Sequence, residues 1–445
     1  MTQLRWQPTT PVGQWRPEHD ALSPTRRPAM SVTLLTGLFL VALAGRITPD
    51  RAGISIGVDD LRRPACAVLL TAALIWQAEQ WARGTARPWP RFFHAFTALI
   101  AVQILSALWA PWGARVETAV WDLVLLWVIV LLAATFTAGD PRRAARTVLV
   151  LMLAAGLIYA VAGLHAGPQL QGRVSAFGGG PNVYVRVVSL AAIAAVTLAV
   201  ATRRWWLLLP VPVLGAAAVL SGSRGGLVAL VGAATAFFVF FLRRRRTTVL
   251  AATLLLGGAA GWAVWQVMGA SFVTLAATRY NAGMLEANGY SERPELLSIA
   301  WQMFREHPVA GAGMDAFNAA TGMGYPHNLL AGLAAEAGIL GVGLLLLVIY
   351  QWCRDGRPWS VVPPEQVGCA VGAVYVLLAS MFSGDYYDTR FCWILAVVAV
   401  ARTRPRPRRW PTGERLAWPG EDRRADVGHL VRRGGRGGGR VRPGR

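Results

Sequence analysis

Residues 119–138 read AVWDLVLLWVIVLLAATFTA, twenty positions with a single charged side chain, Asp122. A bilayer's hydrocarbon core takes about 20 helical residues to cross, so this stretch is the length of one span. Comparable apolar stretches lie outward from it in both directions, near 30–46, 64–80, 93–112, 147–164, 182–201, 205–222, 225–242, 247–269, 327–350, 365–383 and 390–402. Several are rich in Ala, Gly, Leu and Val without alternation, which suits helices packed through small residues and not the strands of a barrel. The expected fold class is therefore all-α, a polytopic membrane protein with about 12 transmembrane helices.

Composition agrees. Hydrophobic residues are 54% of the 445 and charged residues only 15%, against roughly 25% charged in an ordinary globular domain. The net charge of +21 rests on 44 basic residues, all arginine, and 14 of them crowd into residues 402–445 beside four acids. The high charge thus describes a tail more than a surface. This excludes a disordered polybasic chain and argues against a nucleic-acid partner. Cys66, Cys353, Cys369 and Cys392 have neither metal-ligand nor redox spacing and read as small apolar residues. The first 29 residues are polar and carry Pro, Trp and Arg, unlike a secretory signal, so the N-terminus is expected to stay attached.

Arginine placement gives an orientation, because cytoplasmic loops retain basic residues. With residues 1–29 inside, the inner segments hold Arg83, Arg87 and Arg91, then Arg142, Arg143 and Arg146, then Arg203 and Arg204, the run Arg243 to Arg246, and Arg354 with Arg357. Residues 30–403 form the membrane domain, and residues 404–445 form a basic cytoplasmic tail that reads as disordered, with Gly434 to Gly439 interrupted by Arg436. Such a tail associates with anionic membrane lipids at about 1 kcal/mol per arginine. One outer loop, 47–63, departs from the rule with Arg51, Arg62 and Arg63, partly offset by Asp50, Asp59 and Asp60. The longest non-apolar interior segment, 270–326, falls outside, between the ninth and tenth spans, and loops that long are usually functional.

Polar residues of the outer side group into short motifs. The loop before the sixth span is Gly172-Arg173-Val174-Ser175-Ala176-Phe177-Gly178-Gly179-Gly180-Pro181-Asn182, and the turn before the eighth is Ser221-Gly222-Ser223-Arg224-Gly225-Gly226. The large loop carries Ser291-Glu292-Arg293 and His307-Pro308-Val309-Ala310-Gly311-Ala312-Gly313, and ends in Tyr325-Pro326-His327-Asn328. The tenth span continues through Glu336-Ala337-Gly338, and Ser383 to Arg390 joins the last two spans. Arg173, Arg224, Arg293 and Arg390 are thereby expected on one face. Guanidinium groups bind phosphate oxygens bidentately and stay charged at any physiological pH. Several at a membrane surface suit a lipid-linked diphosphate, stabilising it as it departs. A histidine among them, with an ordinary pKa near 6.5, suits proton removal from an incoming hydroxyl. The implied reaction is glycosyl transfer from a polyprenyl diphosphate.

These ordered motifs resemble the O-antigen ligase and polymerase superfamily: the Ser-Gly-Ser-Arg-Gly-Gly turn, the outer loop with Arg293 and a His-Pro-x-x-Gly-x-Gly element, and Pro-His-Asn followed by Glu-x-Gly. The resemblance covers roughly residues 165–395. It implies a GT-C-like, multi-span glycosyltransferase of the cytoplasmic membrane, metal-independent and without a cofactor. Its donor would be an undecaprenyl diphosphate-linked glycan and its acceptor a hydroxyl on a glycan, lipid or protein at the outer face. Carried onto this chain, the pattern places Arg224 and Arg293 on the donor diphosphate and His327 on the acceptor hydroxyl. Arg173, Asn182, Asn328 and Arg390 become substrate-binding positions. The family often reads Gly-Asn-Pro-Asn where this chain has Gly179-Gly180-Pro181-Asn182.

Plainer readings stand beside these. An outer arginine can snorkel to lipid headgroups, and for Arg186, one turn inside the sixth span, the two readings balance. His327 and Asn328 can cap the tenth helix. Glu336 lies nine residues from His327, on the opposite helix face, so it is assigned to packing or an ion pair. Asp385 and Asp388 are candidates to pair with Arg390. The rival function is a 12-helix transporter or flippase of lipid-linked glycan, though transporters place ionisable groups near the bilayer midplane in repeated halves. Orientation is directly testable: green fluorescent protein fused after residue 445 is expected to fluoresce, and alkaline phosphatase inserted after residue 280 to be active. The reverse pair of results overturns it.

Overall fold

A computed structural model describes residues 26–44, 61–82, 89–169, 173–242, 293–356, 362–384 and 387–402. The expected ninth span at 247–269, the outer-loop residues 270–292 and the tail at 404–445 lie outside the described residues. Every other expected apolar stretch is helical. The helices are α1 (Arg26–Ala44), α2 (Arg62–Ala82), α3 (Arg91–Leu105), α4 (Val116–Thr137), α5 (Pro141–Ala166), α6 (Gly180–Thr202), α7 (Val211–Leu220) and α8 (Arg224–Leu242). They continue with α9 (Arg293–Glu306), α10 (Ala316–Thr321), α11 (Leu329–Asp355), α12 (Pro364–Ser380) and α13 (Arg390–Val400). Among the described residues the only strand-like pairing is an isolated bridge between Pro168 and Val174.

Among the described residues, five helices are long and apolar enough to cross a membrane: Arg91–Trp109, where one 3-10 turn extends α3, with α4, α5, α6 and α11. Five shorter apolar helices, Met30–Ala44, Trp205–Leu220, Arg224–Thr235, Pro364–Ser380 and Arg390–Val400, pack with them. Local sequence sets the boundaries. Asp140 caps α5, its carboxylate accepting from the Arg143 amide at 3.1 Å, and Pro141 follows as the first helical residue. Pro181 and Pro364 stand in the first turns of α6 and α12, where a missing N–H costs nothing.

The helix ends collect at two ends of the bundle. At one, the Asp355 carboxylate at the end of α11 accepts from the Phe92 amide at 2.9 Å, and Arg402 donates to the Asp355 carbonyl. Arg142 at the start of α5 reaches Glu365 at the start of α12, 3.2 Å away. The other end gathers the loops that precede α6, α8, α11 and α13. There Arg62 pairs with Asp122 at 3.3 Å, and Arg63 lies 4.8 Å over the Trp121 ring. Two of the three arginines that depart from the charge rule are thus engaged with the start of α4, and the third, Arg51, lies outside the described residues.

Small residues set the spacing between helices. A side chain at Gly156 on α5 would strike Ala191 of α6, with the Val187 carbonyl only 3.1 Å away, and one at Gly368 on α12 would meet Thr197. Close backbone approach of this kind is the main source of helix adhesion where lipid removes the hydrophobic driving force. Gly156→Val is therefore expected to destabilise the detergent-purified protein by about 1–3 kcal/mol, the usual range for overpacking. Gly215→Ala, with open space at its Cβ position, is expected to leave the thermal midpoint unchanged, and equal midpoints for both variants would refute the packing.

Candidate functional site

The loop-rich end is built around the turn between α7 and α8. Gly222 takes φ +62°, a left-handed conformation suited to glycine, and its Cβ position would press on the Arg173 side chain at 3.3 Å. Arg173 lies across this turn. Its Nε donates to the Ser221 carbonyl at 3.0 Å and its Nη2 to Asn182 Oδ1 at 3.5 Å. The same Asn182 oxygen accepts from the Ser223 hydroxyl at 2.8 Å, and its Nδ2 donates to Ser383 Oγ at 2.9 Å. The Val174 amide also donates to the Leu220 carbonyl. Asn182 therefore ties the starts of α6 and α8 to the end of α12. Arg224, the first residue of α8, projects from this hub exposed to its surroundings.

One turn deeper on α6, at the spacing that keeps a side chain on the same helix face, Arg186 is buried. It lies 3.7 Å from Asp388, donates to the Ala379 carbonyl at 3.3 Å, and leaves no room for a side chain at Gly384. Asp388 also pairs with Arg390 at 3.7 Å, and Arg390 Nε donates to the Ala42 carbonyl of α1. The four arginines expected on one face thus divide. Arg224 and Arg293 are exposed, Arg173 is half-buried in the hub, and Arg390 is buried at the start of α13.

A second unit stands on α11, which is not one continuous helix. Gly338 takes φ +61° and ψ −157° and breaks it. Into the break fits the His307–Gly313 loop. The amides of Ala312 and Gly313 donate to the carbonyls of Ala335 and Glu336 at 2.8 and 3.1 Å, while those of Ile339 and Leu340 donate to the Pro308 and Val309 carbonyls at 2.8 and 3.2 Å. Backbone groups released by the break are satisfied by protein, as they must be away from water. A Cβ at Gly311 or Gly338 would collide with the facing backbone. Trp109 Nε1 donates to the Gly311 carbonyl at 3.2 Å, fastening the loop to the end of α3.

This docking positions Arg293, His327 and Asn328. Leu296 and Ala300 of α9, with Ile299 and Met303 beside them, pack on Ala331 and Ala335 of α11. Both α9 and the first segment of α11 run toward the break, so Arg293 and His327 start at the same end of the pair. Asn328 caps α11, its Oδ1 accepting from the Ala331 amide at 3.0 Å. His327 precedes it at φ +58°, a left-handed conformation that costs a non-glycine residue about 1–3 kcal/mol and is concentrated at functional sites. Tyr325 meets its imidazole edge to face, ring centroids 4.8 Å apart.

Residues 209–346 match the family described as O-antigen ligase. Over this segment the chain is similar to O-antigen ligases. Among curated proteins, none matches the chain. The matched segment contains the Ser221–Gly226 turn, Arg224, Arg293, the loop docked in α11, His327 and Asn328, whereas Arg173 and Asn182 lie outside it and join by tertiary contact, and Arg390, also outside it, pairs with Asp388. Sequence reasoning passed over Ser223 and Ser383, which complete the Asn182 hub, and left Arg186 open although its four-residue spacing from Asn182 signals a shared face. The expected pairing of Asp388 with Arg390 is present. Glu336 contributes its carbonyl to the docked loop.

The break in α11 has its own test. Gly311→Ala is expected to lower the yield and thermal midpoint of folded protein, since both its positive φ and the facing Glu336 backbone oppose a side chain. Gly343→Ala, in the same helix with open space around it, is expected to change neither. Indistinguishable variants in a fluorescence-detected gel-filtration melt would refute the docking.

Proposed function

We propose that the protein transfers or polymerises a glycan from a polyprenyl diphosphate donor onto an acceptor hydroxyl at the outer face of the cytoplasmic membrane. The observation that supports this reading is that Arg224 and Arg293, both exposed, and His327 all fall inside the O-antigen ligase match. In this reading the loop-rich end is the outer one, as the arginine distribution implies. Arg224 and Arg293 hold the donor diphosphate bidentately. The Asn182 hub, through Arg173, Ser221 and Ser223, fixes the turn from which Arg224 projects.

His327 removes the proton of the acceptor hydroxyl, the oxygen attacks the anomeric carbon, and the bond from that carbon to the diphosphate oxygen breaks. Polyprenyl diphosphate leaves with the electron pair, its charge stabilised by the two guanidiniums. Asn328 caps its helix through Oδ1, so a role toward substrate falls to the donor side of its carboxamide. The strained backbone of His327 fits a residue held for chemistry.

A transporter uses a broken helix differently. There the unwound backbone carbonyls and half-helix ends face the cargo, whereas the four backbone groups exposed at Gly338 are bonded to the chain's own loop. That favours the transferase. Arg224→Ala and His327→Ala, expressed at wild-type levels in the native host, are each expected to reduce mature surface glycan at least 100-fold, within the range for losing an acid-base or charge-stabilising group. Lipid-linked precursor should accumulate. Arg224→Lys is expected to restore only part of the loss, because an ammonium lacks the bidentate fork. Normal surface glycan without precursor in both alanine variants would refute the transferase.

A further inference from the structure

We propose that α9 lies on the bilayer at the loop-rich end, with its outer apolar flank of Leu297, Trp301 and Phe304, and Val309 beyond it, seated among the headgroups and upper acyl chains of the lipids. Residues 293–309 then form a strap on the membrane surface, where the sequence places them in an aqueous loop. The seating is independent of the chemistry proposed for Arg224, Arg293 and His327.

The helix carries more apolar surface than its packing uses. Laid out at about 100° per residue, its apolar side chains from Ile299 round to Trp301 fill one continuous arc of about 200°, whereas facing a single partner takes about 100°. Half of that arc, Leu296 and Ala300 with Ile299 and Met303 beside them, packs on α11. The other half does not: Leu297 is 45% exposed and Trp301 58%, and Phe304 lies against the Trp301 ring, centroids 5.4 Å apart. The rest of the helix is polar. Ser298 donates to the Glu295 carbonyl and Gln302 to the Glu306 carboxylate on that side. Arg305 stands at the border beside Trp301, where an interfacial helix keeps a basic residue for lipid phosphates.

Continuity with a membrane span names the partner. Past α9 the chain enters the loop docked at Gly338, where the Pro308 and Val309 carbonyls accept from the Ile339 and Leu340 amides. Val309 is 61% exposed and Ile339 60%. Ile339 begins a row of outward apolar side chains that continues at helical spacing through Leu346, Leu347 and Tyr350. On a helix long and apolar enough to cross a membrane, such a row faces lipid, and Val309 extends it onto the loop that follows α9. Depth agrees. From Asp355, at the opposite end of the bundle, to Gly338 the helix rises about 26 Å at about 1.5 Å per residue, against a hydrocarbon core of about 30 Å. The break and Val309 therefore sit just inside the edge of the core. Trp301, back along α9, falls toward the headgroup level, where indoles concentrate.

The test is the accessibility of nitroxide labels to lipid-soluble oxygen and to a water-soluble nickel chelate, in the full-length protein carried in phosphatidylglycerol-containing nanodiscs. Cys353, the exposed cysteine of the four, is first replaced by serine, and the labelled parent supplies the background. Labels at Leu297→Cys, Trp301→Cys and Val309→Cys are expected to show oxygen-to-nickel ratios roughly threefold or more above those at Ser298→Cys and Gln302→Cys. The ratio should be highest at Val309 and approach that of Leu346→Cys on the span. All six side chains are exposed, so a single cysteine at each is expected to keep the parent's thermal midpoint, and three independent positions carry the result if one variant does not. Equal ratios at Trp301 and Gln302 would place α9 in water. Exclusion of both reagents from Leu297 and Trp301 would place it under protein, from this chain or a second copy. Either outcome overturns the proposal.

Discussion

The His307–Gly313 loop filling the break in α11 is the contact on which the remainder of the site depends. A helix interrupted inside an apolar bundle exposes carbonyls and amides that no water reaches, and leaving several unpaired would cost more than a typical domain's net stability. Four hydrogen bonds from a single loop remove that cost. They also fix three things together: the direction of the first segment of α11, the seat of α9 beside it, and the attachment of both to the end of α3 through Trp109. Arg293 and His327 lie at the starts of the two helices that this assembly holds.

The same end contains a second rigid element of a different kind. Asn182 uses both sides of its carboxamide, accepting from Ser223 and Arg173 and donating to Ser383, so the ends of three helices are pinned together by one side chain. Satisfied polar networks of this type hold geometry at a membrane surface better than packing does, because hydrogen bonds are directional and lipid offers no competing partners. The exposed guanidinium of Arg224 is thus presented from a fixed turn. A functional cation on a fixed turn is pre-organised, and that is how charge stabilisation avoids reorganisation during a reaction.

Burial separates the arginines by use. Arg62 and Arg63 are held at the start of α4, Arg142 pairs with Glu365 at the opposite end, and Arg186 and Arg390 share Asp388 inside the bundle. Arg224 and Arg293 stay exposed. The arginines of the loop-rich end therefore include exposed ones, Arg224 and Arg293 among them, and the buried Arg186 and Arg390.

By itself the sequence determined the helical class, the positions of the apolar stretches and the motifs that the O-antigen ligase match contains. Each is a one-dimensional property: span length follows from bilayer thickness, and a motif from residue order. The Asp388 to Arg390 ion pair was legible for the same reason, since its partners are neighbours in the chain. Only the tertiary structure decided that Gly311 and Gly338 serve one docking, that Asn182 links Arg173 to Ser223 and Ser383, and that Arg390 faces inward to join Arg186. Those contacts join residues up to some 200 positions apart. Their energetics depend on which backbone groups and charges are removed from water together, which becomes defined when the helices pack.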